Sequence, residues 1–139
     1  RLLDMGVEPY LAASAVIAVV AQRLVRRLCP ACRREIKPDV AFLKGIGFPV
    51  AELSKKRVYG NGACEACRMT GYRGRGGIFE ALHVTEAIES LVVLRSASNI
   101  IKQKAIAEGM LTLRDDGWAK VLEGATTVEE VLRVSEENE

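Results

Sequence analysis

Cys29-Pro30-Ala31-Cys32 and Cys64-Glu65-Ala66-Cys67 contain all four cysteines of the chain, and their reading decides how the rest is organised. A two-residue gap lets both sulfurs of a tight turn face one ion, so two such turns supply the full tetrahedral shell of a structural zinc site. No position is left for a reacting water, and the site is expected to be a closed clamp rather than a catalytic centre. The spacing C-x2-C-x31-C-x2-C exceeds the roughly 15–20 residues that separate the pairs of a compact zinc ribbon. The intervening loop is therefore long enough to hold structure of its own. Disulfides, a redox dithiol and iron in place of zinc stand as alternatives. No signal peptide precedes the cysteines and the length does not require covalent staples, which disfavours disulfides. A redox C-x-x-C is usually a single pair beside a βαβ unit.

Outward from the pairs, charge is unevenly distributed. Residues 1–75 carry 14 Lys/Arg against 6 Asp/Glu, and residues 76–139 carry 6 against 12, within a net of +2. Such asymmetry suggests oriented contacts with charged neighbours. Four thiolates on a divalent zinc leave a charge of −2, and Arg26, Arg27, Arg33, Arg34 and Arg68 flank it in sequence. Their guanidinium groups are expected to favour the thiolate form, with a solvated basic face as the alternative. With 49% apolar residues in 139, a packed core in one domain or two small ones is expected. The longest apolar run, Tyr10 to Ala21, falls short of the about 20 residues of a spanning helix, and it lacks the basic lead of a signal peptide. A cytoplasmic chain is expected. Its start in mid-pattern without methionine reads as a fragment of a longer protein.

Residues 1–6 read as the last turns of a helix stopped by Gly6, and Pro9 as the first turn of a helix over residues 9–22, apolar on nearly every side and so buried on several faces. Residues 23–28 are expected as a short strand entering the first cysteine pair. Between the pairs, Val40 to Leu43 suggest a helical turn or two stopped by Gly45 or Gly47, and Val58-Tyr59 a short strand before the turn Gly60-Asn61-Gly62. Residues 70–77 read as a flexible, exposed, glycine-rich loop, followed by a strand over 78–84. That strand places Ile78, Glu80, Leu82 and Val84 on one face and Phe79, Ala81 and His83 on the other. Its return beside residues 23–28 would bring the cysteine pairs together. Four helices are expected thereafter: one capped by Thr85, one by Ser98, one by Thr112 and carrying Trp118, Val121 and Leu122, and one opened by the capping box Thr127-Val128-Glu129-Glu130. Gly117 within the third implies close packing or a bend, and residues 136–139 are expected to fray.

No catalytic constellation is legible. The glycine-rich loop lacks the lysine and the following helix of a phosphate-binding loop, so Arg73 and Arg75 are candidates only for contact with a phosphate or a neighbouring subunit. His83, the sole histidine, reads as a core or edge residue. No serine or cysteine has a histidine and carboxylate arranged around it. Asp115-Asp116 and Glu129-Glu130 suit helix starts.

Four segments together resemble one family. Arg1-Leu2-Leu3-Asp4-Met5-Gly6-Val7-Glu8-Pro9 is similar to the stretch following the histidine box of the type II secretion and type IV pilus assembly ATPases. Ala21 to Cys29 resembles the entry to their cysteine-bearing subdomain, the two C-x-x-C pairs their tetracysteine site, and Thr70 to Glu80 the segment leading out. The resemblance implies an α+β fold: the tail of a RecA-like domain (1–28), a β-hairpin-based zinc-binding subdomain (29–75), a return strand of the core (76–84) and a C-terminal helical subdomain (85–139). It implies structural Zn2+ on Cys29, Cys32, Cys64 and Cys67. It further implies a cytoplasmic homo-hexameric motor, peripheral at the inner membrane, whose platform and associated assembly proteins are its partners. ATP and Mg2+ belong to the parent: the Walker, aspartate-box and histidine-box motifs would precede Arg1, and this chain is expected to be inactive alone. The alternative from another class is a free-standing zinc module that binds nucleic acid through its basic half, although the aromatics there form no stacking series.

Overall fold

A computed structural model of the chain describes residues 1–135; the expected fraying of 136–139 lies outside them. The architecture is mixed α+β and falls into two compact units, Arg1–Ala21 with Glu80–Thr112, and Gln22–Phe79 with Leu113–Glu139. Two long strands, β1 (Ala18–Leu28) and β4 (Tyr72–His83), pair with each other and take part in both units. Their antiparallel sense follows from Val84 N–H donating to Ile17 at one end and Cys29 N–H to Gly71 at the other.

These strands correct two expectations. The helix expected over residues 9–22 is a short one, α1 (Pro9–Ala15), which ends at Val16 in extended conformation. The β-branched run Val16, Ile17, Val19, Val20 then continues as strand, because its backbone finds a partner in the second half of β4, and pairing overrides the apolar pattern. Nor is that run buried: Ile17, Val19 and Val20 are 78%, 54% and 62% exposed. The loop expected at 70–77 is likewise the first half of β4. Of the glycines inside the strand only Gly74 has positive φ, +77°; Gly76 and Gly77 leave the chain extended. The two faces expected beyond Gly77 do hold, with Ile78 fully buried and Phe79, Ala81 and His83 exposed.

In the first unit, residues 1–7 form one turn closed by Val7 N–H to the Leu2 carbonyl and Gly6 N–H to Leu3, with Gly6 at φ +92°, the helix stop expected from its sequence. α1 packs on α3 (Glu86–Val93) and α3 on α4 (Ser98–Ala107). Thr85 caps α3 by accepting from Ile88 N–H. Ser98 is the first residue of α4 rather than its cap, which falls on Ala97.

In the second unit, β2 (Arg34–Ile36) pairs antiparallel with β3 (Val58–Gly60), with Glu35 opposite Tyr59. Between them lies α2 (Val40–Gly45), capped by Asp39, whose carboxylate accepts from the Ala41 and Phe42 amides. α5 (Leu113–Leu122) and α6 (Val128–Ser135) close the chain. Leu43, Phe48 and Val58 are buried with Trp118, Val121, Leu122, Val128 and Val131 in one core, and Phe48 meets Trp118 edge to face at 5.4 Å. The segment between the cysteine pairs therefore shares its apolar core with the terminal helices.

Gly117 brings α5 against α6: a Cβ there would sit 2.5 Å from Val131 Cγ1 and 3.0 Å from Cγ2. Gly117→Ala gains up to about 1 kcal/mol of helix propensity, but overpacking a buried β-branched neighbour costs about 1–3 kcal/mol. A net loss is expected in urea denaturation, relieved by adding Val131→Ala. Stabilisation by Gly117→Ala alone would contradict this packing.

Candidate metal centre

Each cysteine pair sits on a backbone turn that aims both sulfurs inward. In the first, Arg33 and Cys32 N–H groups bond back to the Cys29 carbonyl, at 2.9 and 3.3 Å. In the second, Cys67 and Met69 N–H groups bond to the Cys64 carbonyl. Arg68 and Met69 there take left-handed φ of 53° and 63°, a conformation that L side chains adopt only at a cost, so the turn is held by its surroundings. The Thr70 hydroxyl donates to the Cys67 carbonyl at 2.7 Å, and the Gly71 amide donates to Cys67 Sγ at 3.2 Å. Cys29 N–H to the Gly71 carbonyl then joins the two turns at the ends of β1 and β4.

Two glycines permit this approach. A Cβ on Gly62 would land on the Cys32 carbonyl, and one on Gly71, at φ +76°, on the Gly62 carbonyl. In the sequence Gly62 reads only as a turn residue and Gly71 only as part of a loop. Their role depends on a backbone from the other half of the motif.

All four sulfurs lie within 4.8 Å of one another. The separations are 3.8 Å for Cys29–Cys64, 3.7 Å for Cys32–Cys67 and 3.6 Å for Cys64–Cys67. A tetrahedron of sulfurs about 2.3 Å from a central zinc has edges of about 3.8 Å, so the donor set fits that ion in type, number and size. A disulfide needs about 2.05 Å, and all four cysteines are free. Four clustered thiols cannot all carry charge without a cation. Burial and then the neighbouring thiols push Cys32 up to about 12. Burial opposes charge on Cys67 too, but backbone hydrogen bonds at residues 64 and 71 and the adjacent thiols outweigh it and bring Cys67 down to about 6.

Two of the five flanking arginines, Arg26 and Arg33, have partners away from the sulfurs. Arg33 donates to the Gly124 carbonyl at 2.7 Å, at the end of α5, and stacks 4.9 Å from the Tyr59 ring. Arg26 lies 4.2 Å over Tyr72 and bonds Glu130 Oε1 at 2.7 Å. Glu130 is 1% exposed. It also accepts from the Arg26 amide and from two nitrogens of Arg133. Burial penalises its charge, yet these donors prevail and hold the carboxyl down at about 2. Thr126 Oγ1 donates to the Arg26 carbonyl, and Thr127 Oγ1 pairs with the Tyr72 hydroxyl. Sequence reading saw only a capping box in Thr127 and Glu130. Thr127 does accept from Glu130 N–H at 3.4 Å, but the carboxylate turns to a strand 104 residues away, which no local pattern announces. Arg73 and Arg75 are exposed on β4 and line different clefts. His83 is exposed near the end of β4.

Residues 1–133 match the family described as type II/IV secretion system protein. The chain is 46% identical over 132 residues to the type IV pilus assembly ATPase PilB of Thermus thermophilus, covering 95% of this chain and 15% of that protein. It is 45% identical over 138 residues to type II secretion system protein E of Pseudomonas aeruginosa, covering 99% and 27% respectively. Against the type II secretion system ATPase E of Vibrio cholerae it is 39% identical over 141 residues, covering 99% and 27%. The chain thus spans between about a seventh and a quarter of the length of these relatives.

Proposed function

Because the chain belongs to the type II/IV secretion system protein family, we propose that it is the C-terminal part of a hexameric cytoplasmic ATPase that drives type II secretion or type IV pilus assembly. The observation that carries this reading is a match over nearly the whole chain to proteins named for those two processes, together with four clustered cysteines. In this reading residues 1–28 and 76–84 complete a RecA-like core, 29–75 form the zinc-binding subdomain and 85–139 the C-terminal helical subdomain. Cys29, Cys32, Cys64 and Cys67 hold the zinc. When bound, zinc ties the four thiolates into one crosslink and takes part in no reaction. The clamp stiffens a surface for the inner-membrane platform protein. No helix among the described residues is long and apolar enough to cross a membrane.

ATP and Mg2+ are assigned to the rest of the parent, since this chain carries no phosphate-binding loop. The purified chain is expected to show no magnesium-dependent ATP turnover above background and to be retained by the cytoplasmic part of a platform protein. Turnover by the chain alone, or no retention by any platform protein of the two pathways, would overturn the reading. Against the nucleic-acid alternative, Tyr59 and Tyr72 each carry an arginine, Arg33 and Arg26, over one ring face, which leaves fewer faces for bases to stack on.

A further inference from the structure

β4 carries Arg73 and Arg75 on either side of Gly74, the strand glycine in the left-handed region at φ +77°. Residues two apart on a regular strand share a face, but a left-handed glycine in a strand re-aims the side chains around it. Arg75 accordingly lines one cleft with Arg26, Thr70 and Tyr72. Arg73 lines another, of about 370 Å³, with Arg27, Arg33, Leu28, Gly124 and Ala125.

Three arginines thus line one small cleft without an acid in its wall. Among the described residues Arg27 and Arg73 take part in no ion pair, and Arg33 spends one N–H on Gly124 while its others remain available. Glu123 lies in the adjoining groove with Arg27 and Lys120, and no ion pair joins it to either. Cations held together in this way repel one another, an arrangement that an anion between them relieves. The planar fork of arginine favours carboxylate or phosphate oxygens, taken two at a time.

We infer that the Arg27–Arg33–Arg73 cleft receives carboxylate side chains of an acidic segment on a partner protein. Charge decides between carboxylate and phosphate. The cleft wall includes Leu28 and Pro30, the residues on either side of Cys29, so with zinc bound a tetrathiolate of charge −2 lies behind it. That charge opposes a dianionic phosphate group more than any one carboxylate group of the segment. This inference rests on the zinc-clamped docking surface proposed above and names the part of it that reads the partner.

The test titrates the full zinc-loaded chain with a hexaglutamate peptide, following the arginine Nε–Hε signals by NMR, with zinc content measured on the same sample. Binding is expected to shift Arg27, Arg33 and Arg73, to leave Arg95 unmoved, and to weaken about tenfold or more in Arg27→Gln/Arg73→Gln. Arg95→Gln should bind as the parent chain does. Equal binding by the double variant, or tighter binding of inorganic phosphate or phosphatidylglycerol vesicles than of the peptide, would overturn the inference. Full zinc with no peptide binding rejects the cleft alone. Absent zinc with localised binding rejects the metal clamp and keeps the cleft.

Discussion

Chelating the proposed zinc is expected to shift the emission of Trp118, the only tryptophan, to the red, although Trp118 belongs to α5 and not to a cysteine turn. The path is short. Leu28 N–H donates to the Ala125 carbonyl at 2.8 Å and Arg33 to Gly124 at 2.7 Å, so the first cysteine turn is fastened on both flanks to the α5–α6 turn. Beyond that turn, Trp118 is 2% exposed and packs on Phe48 between the cysteine pairs. Structural zinc in small domains contributes about 10–16 kcal/mol of apparent binding free energy, comparable with the whole stability of a domain of about 5–15 kcal/mol. Losing it should lower amide protection through Cys29–Arg33, Cys64–Gly71, α5 and α6 together, while α1, α3 and α4 keep theirs. Cys64→Ser should act in the same direction. Unchanged Trp118 emission with the metal removed would show that the apolar core carries this unit unaided.

The second large effect belongs to Glu130. Glu130→Gln keeps the shape but replaces an acceptor oxygen with an amide NH2, which then faces the donors of Arg26 and Arg133. Breaking a buried, hydrogen-bonded charge pair costs about 3–5 kcal/mol; because both guanidinium groups are half exposed, about 2–3 kcal/mol is expected at neutral pH. The sign of the pH dependence follows from the depressed carboxyl. Its folded value is about 2 against an ordinary 4.5, so its contribution is complete above about pH 4.5 and is lost as pH falls towards 2. The stability difference between parent and Glu130→Gln, measured by urea denaturation at each pH, should close over that window. A gap that persists at pH 2, or none at pH 7, would contradict the assignment. Metal loss in acid affects both proteins and drops out of the difference.

What was legible in the sequence was whatever local chemistry dictates. The cysteine spacing announced the cluster, because a two-residue gap constrains sulfur positions by itself. Thr85 before α3 and the apolar stripe of Trp118, Val121 and Leu122 follow from capping and periodicity. The misreadings share a cause: the deciding partner was remote. Val16 to Val20 look helical until β4 is there to pair with them. The glycines of 70–77 look like a loop until β1 supplies a neighbour. Arg26 looks like a counter-ion to the thiolates until Glu130, 104 residues further on, claims it.

One metal ion held by four sulfurs is the proposed tie between the two cysteine turns. X-ray absorption at the zinc edge, with metal content measured on the same native sample, tests it most directly. One zinc per chain with four sulfur neighbours at about 2.3 Å is the expected result. Metal-free protein, or a shell in which nitrogen or oxygen replaces any of the four sulfurs, would contradict it.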